Sequence, residues 1–312
     1  MDSYLNCTLK QPHQTILTVD SFYKDAPKLR SEYDARFANP HKADSDRFIW
    51  DYWHIKDQYT LLRTPAYHFF KPRTYAAFHK ALLKYGREVL GCYDVTPPWM
   101  SCYVEGCSQD LHADVPHGPW AFVFSLTNWS NREFSGGETW MLKPETLQYW
   151  HNFSSLRGVE RHDLMTEVQP EFNRLTVFDP RLPHGVREVR GVRDPLKGRL
   201  VIHGWFKDPE PYVTGGLNRK TAAEGLNEVL DRIFSHQQDF EDCHGTLSYQ
   251  MKISSAGSVI GVRRMTCTLQ SLTNSQKSVA ALLKVIEKEI KKQKFSRAKT
   301  ASVITFPILF RF

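Results

Sequence analysis

Between residues 100 and 206 six short apolar runs follow one another, each four to seven residues long and set off by Gly, Pro, Asn or Asp. They fall at 100–104, 122–126, 138–142, 175–178, 186–189 and 200–206. Runs this short do not give a helix enough turns to bury a face, whereas a strand needs only about five residues. Serial β-rich runs at this spacing predict an antiparallel sandwich or barrel, a mainly β fold with helices on its flanks.

The flanking segments have different periods. Residues 15–21 read as a short strand leading to a helix through about Phe37, capped by Asp20 or Ser21, with Phe22, Ala26, Leu29 and Tyr33 at helical spacing. Asn39-Pro40 breaks it. Residues 48–78 are crowded with aromatics, which suits core and cleft-wall packing and leaves a substrate groove as the other option. Residues 72–90 read as an amphipathic helix. The polar stretch 207–216 reads as a domain exit. A helix over 222–240 carries Leu226, Val229, Leu230, Ile233 and Phe234 on one face, and strands at 246–254 and 259–265, a helix and a strand at 302–310 close the chain. The expected division is 1–212, a linker and helix at 213–240, and a small basic α+β domain at 241–312.

Charge supports that division. The chain has 41 Lys and Arg against 34 Asp and Glu, a net of +7. Residues 241–312 hold 12 basic and 4 acidic residues, a net of +8, which leaves 29 and 30, a net of −1, in residues 1–240. The basicity therefore belongs to the C-terminal quarter and argues little for nucleic acid at the larger domain. The helix expected at 275–299 carries Lys277, Lys284, Lys288, Lys291 and Lys292 outside an apolar stripe of Val279, Leu282, Leu283, Ile286 and Ile290. Such a face is ordinarily solvated; the alternative is a surface for an acidic protein partner or nucleic acid.

Other classes drop out on composition. Six scattered cysteines without a C-x-x-C pair suggest neither a disulfide scaffold nor a zinc ribbon. The N-terminus lacks the apolar run of a signal peptide, so the Asn6-Cys7-Thr8 sequon is read as chance. No window approaches eighteen apolar residues, so no transmembrane segment is expected. A cytoplasmic protein is the expectation.

The chemistry concentrates at His112-Ala113-Asp114. On an extended segment residues i and i+2 share a face, so an imidazole and a carboxylate can converge on one ion. A second imidazole follows at His184, with His117 and His203 as nearby competitors. Two His and one carboxylate make the facial triad of non-haem Fe(II) sites, which leaves positions open for further ligands. Arg199, with a planar fork of donors, suits one end of a dicarboxylic acid; Arg193 is its rival.

The order H-x-D, F-x-G-G-E-T (134–139), L-x-V-F-D (175–179), H-x-V-x-x-V (184–189) and R-L-x-I-x-G-W-F (199–206) resembles the Fe(II)- and 2-oxoglutarate-dependent oxygenases, closest to the prolyl-hydroxylase-like subgroup. The resemblance implies a double-stranded β-helix of the jelly-roll or cupin kind. It implies Fe(II) on His112, Asp114 and His184, and 2-oxoglutarate on Arg199. Tyr103, nine residues before His112, stands where the subgroup often has a tyrosine near the co-substrate. The resemblance further implies O2 as the oxidant and ascorbate as an auxiliary reductant. Two features depart from the pattern. The interval from His184 to Arg199 is long, with 190–197 reading as an inserted loop. Leu126 stands in the slot where some relatives offer a tyrosine. A retained Asp114 favours hydroxylation or another oxidative outcome, because related halogenases lack that carboxylate.

The resemblance implies hydroxylation of a peptide or protein residue, prolyl by default, with release of succinate and CO2. A free amino acid or small metabolite is the second substrate class. A catalytically idle binding module acting through its basic C-terminal domain is the reading from another class. That domain (257–263, 268–269, the helix, Phe295 and 303–310) resembles the β-β-α-β module of TonB-like proteins and would be an interaction domain.

Overall fold

The computed structural model describes residues 15–39, 41, 50–115, 117–148, 156, 158–272 and 276–310. The Asn6 sequon, the Pro40 break and Phe48 lie outside them. In chain order the strands are β1 (Ile16–Val19), β2 (Asp51–Ile55), β3 (Tyr59–Pro65), β4 (Cys92–Val95), β5 (Trp99–Tyr103) and β6 (Ser108–His112). Next come β7 (Trp120–Ser125), β8 (Thr139–Leu142), β9 (Met165–Val168), β10 (Leu175–Phe178), β11 (His184–Val186) and β12 (Arg199–Pro209). The last are β13 (Tyr212–Gly215), β14 (Cys243–Ile253), β15 (Val259–Cys267), β16 (Gln270–Ser271) and β17 (Ser302–Phe310). The longer helices are α1 (Ala26–Phe37), α2 (Pro72–Tyr85), α3 (Arg219–Phe234) and α4 (Gln276–Lys292). None is long and apolar enough to cross a membrane.

Two compact units emerge. One joins Ile16–Ala81 with Thr96–Phe206; the other joins Leu82–Val95 with Lys207–Phe312.

In the first unit ten strands form one antiparallel path, β1-β10-β7-β12-β5-β3-β6-β11-β8-β9, with β2 beside β3. The path curls back on itself. Phe178 on β10 and His184 on β11 are six strands apart along it, yet their ring centroids lie 4.7 Å from each other. Met141 of β8 likewise shares an apolar cluster with Ala121 of β7. This curled half-barrel is the antiparallel barrel that the serial strands predicted, and it fits the jelly-roll kind that the resemblance implied.

Alternation then sorts the side chains. Arg199, Val201 and His203 on β12 pair in register with Tyr103, Ser101 and Trp99 on β5, and Ser101 pairs onward with Arg63 on β3. Outside the curl, Phe22, Ala26, Leu29 and Tyr33 are all buried, as their spacing required. The helix nevertheless begins at Ala26 and not beside Asp20. Ser21 adopts a left-handed backbone (φ 53°), and the Phe22 and Tyr23 amides donate to Asn173 before α1 starts.

The hairpin β2–β3 within the aromatic stretch was not legible, because aromatics on both faces hide the two-residue period. Phe69, Phe70 and Phe78 are core, Tyr52 and Tyr67 are exposed, and Tyr59 lines the cavity described below.

The second unit is a five-stranded antiparallel sheet, β13-β17-β14-β15 with β16 on β14. The stretch 207–216, read as a domain exit, contributes β13, which pairs with β17 from Tyr212↔Thr305 to Gly215↔Ser302. Polar residues suffice there because edge strands need only backbone partners. Helix α3, expected in a linker, buries Leu226, Val229 and Ile233 in the same core as Val279, Leu282, Ile286 and Ile290 of α4. The lysines of α4 stand on its exposed side, while Glu289 is buried and paired with Arg232 and Lys292.

Ile286 is fully buried in that core. Ile286→Ala should cost about 2–5 kcal/mol, by lost burial plus the residual cavity. Urea unfolding followed by circular dichroism measures it; a loss under about 1 kcal/mol would show the α4 stripe to be loosely packed.

Candidate metal centre and anion pocket

Strand register brings the three ligand candidates together. His112 at the end of β6 pairs directly with His184 at the start of β11, and their ring centroids are 4.5 Å apart. Asp114 follows in the turn after β6, fixed where its amide donates to the Pro180 carbonyl. One donor atom from each of His112, Asp114 and His184 lies within 4.8 Å of the others, the only such cluster of three among the described residues.

The tautomers are set by the backbone. Nδ1 of His112 donates to the Asp110 carbonyl at 2.9 Å, and Nδ1 of His184 donates to the Leu182 carbonyl at 2.8 Å. A carbonyl only accepts, so each Nδ1 carries a hydrogen and each Nε2 faces the centre, where it donates to Asp114 when protonated and would bind a metal when not. Asp114 receives them: His184 Nε2 stands 3.2 Å from Oδ2, and His112 Nε2 stands 3.5 Å from Oδ1. The indole Nε1 of Trp205 also donates to Oδ2, at 3.1 Å, and so orients the carboxylate.

Electrostatics follow from that geometry. Burial opposes ionisation of Asp114, but hydrogen bonds from His112 and His184 outweigh it and hold the carboxyl well below the usual range. Burial likewise disfavours charge on His112, yet the Asp114 carboxylate and the Asp110 carbonyl raise its pKa above the ordinary imidazole value. Two imidazole Nε2 atoms and one anionic carboxylate fit a divalent transition metal.

The competitors line the same cavity but are engaged by other partners. His203 Nε2 is 2.8 Å from the Ser101 hydroxyl, and burial brings its pKa down to about 4, so it is neutral. His117 packs at a tilt against Trp205, with ring centroids 4.4 Å apart.

The triad opens on a cavity of about 200 Å³ that Arg199 and Tyr103 also line. Arg199 is 1% exposed. Its Nη2 donates to the Thr139 hydroxyl at 3.2 Å, while Nε and Nη1 are buried without a hydrogen-bond partner. Two unpaired donors on a buried cation are costly, on the order of 1–3 kcal/mol each, unless an anion completes them. Burial accordingly presses the Arg199 pKa down. The dicarboxylate expected from the sequence fits this orphaned fork. The rival Arg193 is exposed in the loop between β11 and β12.

Tyr103 pairs with Arg199 across the strands, its ring 4.5 Å from the guanidinium carbon. Its hydroxyl donates to Gln109 at 2.9 Å, and burial pushes the phenol up to about 12, so it serves as a neutral donor. Leu126 is not among the residues that line the cavity. From β7 the lining residues are Ala121, Phe122 and Val123, while Leu126 is buried outside it.

The F-x-G-G-E-T segment holds Arg199 in place. Gly137 (φ +82°) admits the arginine, because a Cβ there would meet Arg199 Cδ at 3.3 Å and the Phe134 ring at 3.0 Å. Gly136 (φ +79°) lies so close to the Glu188 carbonyl that a Cβ would meet it at 1.9 Å. Thr139, Gln109 and Trp205 had no assigned role in the sequence reading. Trp205 was findable, since it lies six residues from Arg199 on one strand and so shares its face; Gln109 had no signal.

Residues 98–207 match the family model described as the 2OG-Fe(II) oxygenase superfamily, about a third of the chain. An enzyme domain of this class therefore spans that segment, and the class uses Fe(II), 2-oxoglutarate and O2. No curated protein matches the sequence. Among solved structures, a Pseudomonas putida prolyl-4-hydroxylase is 17% identical, with 62% of this chain and 92% of that chain covered and a TM-score of 0.41. The viral collagen prolyl hydroxylase of Paramecium Bursaria Chlorella virus-1 gives 13%, 62%, 95% and 0.39. HygX from Streptomyces hygroscopicus, with nickel, 2-oxoglutarate and hygromycin B bound, gives 12%, 62%, 83% and 0.39.

Two outcomes follow for the metal-free protein titrated with Mn(II). A metal held by His112 would have to displace a proton from it, so below that residue's raised pKa affinity should fall about tenfold per pH unit, and above it level off. Isothermal titration over about pH 5 to 8 reads the slope; a flat profile removes His112 from the site. Trp205→Phe should weaken Mn(II) binding by about 10- to 100-fold, because Asp114 loses the donor that orients it. Unchanged affinity would show that donor to be dispensable.

Proposed function

We propose that this chain is an Fe(II)- and 2-oxoglutarate-dependent hydroxylase that binds iron through His112, Asp114 and His184 and seats 2-oxoglutarate on Arg199. The carrying observation is the buried Arg199 fork, with Nε and Nη1 unpaired, in the cavity that also holds the triad. Iron with O2 supplies the oxidation: 2-oxoglutarate becomes succinate and CO2, one oxygen atom entering each organic product, as a substrate C–H becomes C–OH. The chain's own groups bind, orient and exclude water.

His112 and His184 present Nε2 because backbone carbonyls hold Nδ1. Asp114 offsets one unit of the metal's charge. Arg199 aligns the co-substrate by its far carboxylate, with Thr139 fixing the guanidinium and Tyr103 flanking it. Leu61, Val123 and Val201 form an apolar part of the cavity wall.

A peptide or protein residue, prolyl by default, is the substrate class implied by the sequence resemblance. A free amino acid or small metabolite is the second reading, favoured by the small cavity.

The full chain with Fe(II), 2-oxoglutarate and O2 should form succinate without added substrate. Asp114→Ala should lower that rate at least about 100-fold. Arg199→Met should raise the KM for 2-oxoglutarate at least about 30-fold, the cost of removing one partner of a buried charge pair. Succinate formation that survives Asp114→Ala refutes the assignment. Products 16 Da heavier, sought in a peptide digest and in a metabolite extract, separate the two substrate classes.

A further inference from the structure

One inward-facing cation has no role in the chemistry above. Alternation along β3 turns Tyr59, Leu61 and Arg63 into the cavity. The Arg63 guanidinium lies between two indoles, its carbon 3.4 Å from the Trp53 ring centroid and 4.2 Å from that of Trp99. The rings cover its faces, but its N–H donors point along the plane and need in-plane acceptors. Nε is buried and has none. Asp51, the cross-strand partner, is exposed; its charge is felt by Arg63, but no ion pair forms between them.

The charge balance of the loaded cavity leaves Arg63 over. Fe(II) with Asp114 retains one positive charge, and Arg199 adds a second. Dianionic 2-oxoglutarate neutralises both. His203 is neutral and contributes nothing. A half-buried guanidinium, fixed in orientation by two stacked rings and lacking a counter-ion, is built for a planar anion.

We propose that Arg63, clamped between Trp53 and Trp99, is a second anion-binding site that takes a carboxylate of the primary substrate, so that this oxygenase acts on an acidic molecule. The inference rests on the oxygenase reading, since it assigns the other cation and the triad to co-substrate and metal. It narrows both substrate classes: a free amino or other organic acid qualifies, as does a peptide presenting a free carboxylate.

The test uses the full chain loaded with Mn(II), which does not turn over, and saturating 2-oxoglutarate. N-acetylglycine is the carboxylate probe and N-acetylglycinamide its neutral counterpart. Calorimetry and the fluorescence of the tryptophans flanking Arg63 are the readouts. The carboxylate should bind saturably and at least about tenfold tighter than the amide. Arg63→Met should remove that preference, Arg63→Lys should restore part of it, and neither should change 2-oxoglutarate affinity more than about twofold.

Equal binding of acid and amide overturns the proposal, as does no carboxylate binding at all. A probe that only displaces 2-oxoglutarate overturns it too, since the site would then belong to the co-substrate. The wild-type comparison of acid with amide stands even if a variant fails to fold. Mn(II) and 2-oxoglutarate binding are measured first. If neither binds, the oxygenase reading falls and takes this inference with it; if both bind and no second carboxylate site is found, only the inference falls.

Discussion

The pairing of His112 with His184 across β6 and β11 is the contact on which the rest of the site depends. A shift of one residue would turn one imidazole to the opposite face of the sheet and dissolve the cluster, because side chains alternate with period two. The register is held from several sides: β11 pairs with β8 as well as β6, and the Pro180 carbonyl fixes the Asp114 turn. Each ring is then locked by a backbone carbonyl on Nδ1. The metal candidate site is thus a property of sheet register, with side-chain rotamers settled by the same backbone.

Around that pair the curled sheet concentrates positive charge where water is scarce. Burying an arginine without full pairing works against stability, and the interior holds Arg199 with two donors unused and Arg63 with one. Rigid surroundings keep such groups in place: Thr139 and Tyr103 hold the first, and Trp53 and Trp99 hold the second. A sheet that tolerates unpaired interior cations is preorganised for anions, whose binding would relieve the unfavourable desolvation.

Much of this was legible in the chain, for specific reasons. His112 and Asp114 are two residues apart, so a local period alone puts them on one face. Arg199 opens an apolar run and therefore sits on a strand, whereas Arg193 falls among Gly, Asp and Pro and sits in an exposed loop. The stripe of α4 is buried residue for residue, because a 3.6-residue period is unambiguous over four turns. The hairpin β2–β3 was hidden by aromatics on both faces, and β13 by a polar composition that backbone pairing overrides.

The sequence by itself determined the donor types, the β-rich texture and the faces that single elements present, because those follow from local periodicity and side-chain chemistry. Only the tertiary structure decided which faces meet. Phe178 touches His184 across six strands of path, Trp205 reaches Asp114 from β12, and Arg63 finds Trp99 from a neighbouring strand. These contacts join residues 6 to 91 positions apart and depend on strand register and on how far the sheet curls. Those quantities are fixed by packing of the whole unit, which no local window of sequence encodes.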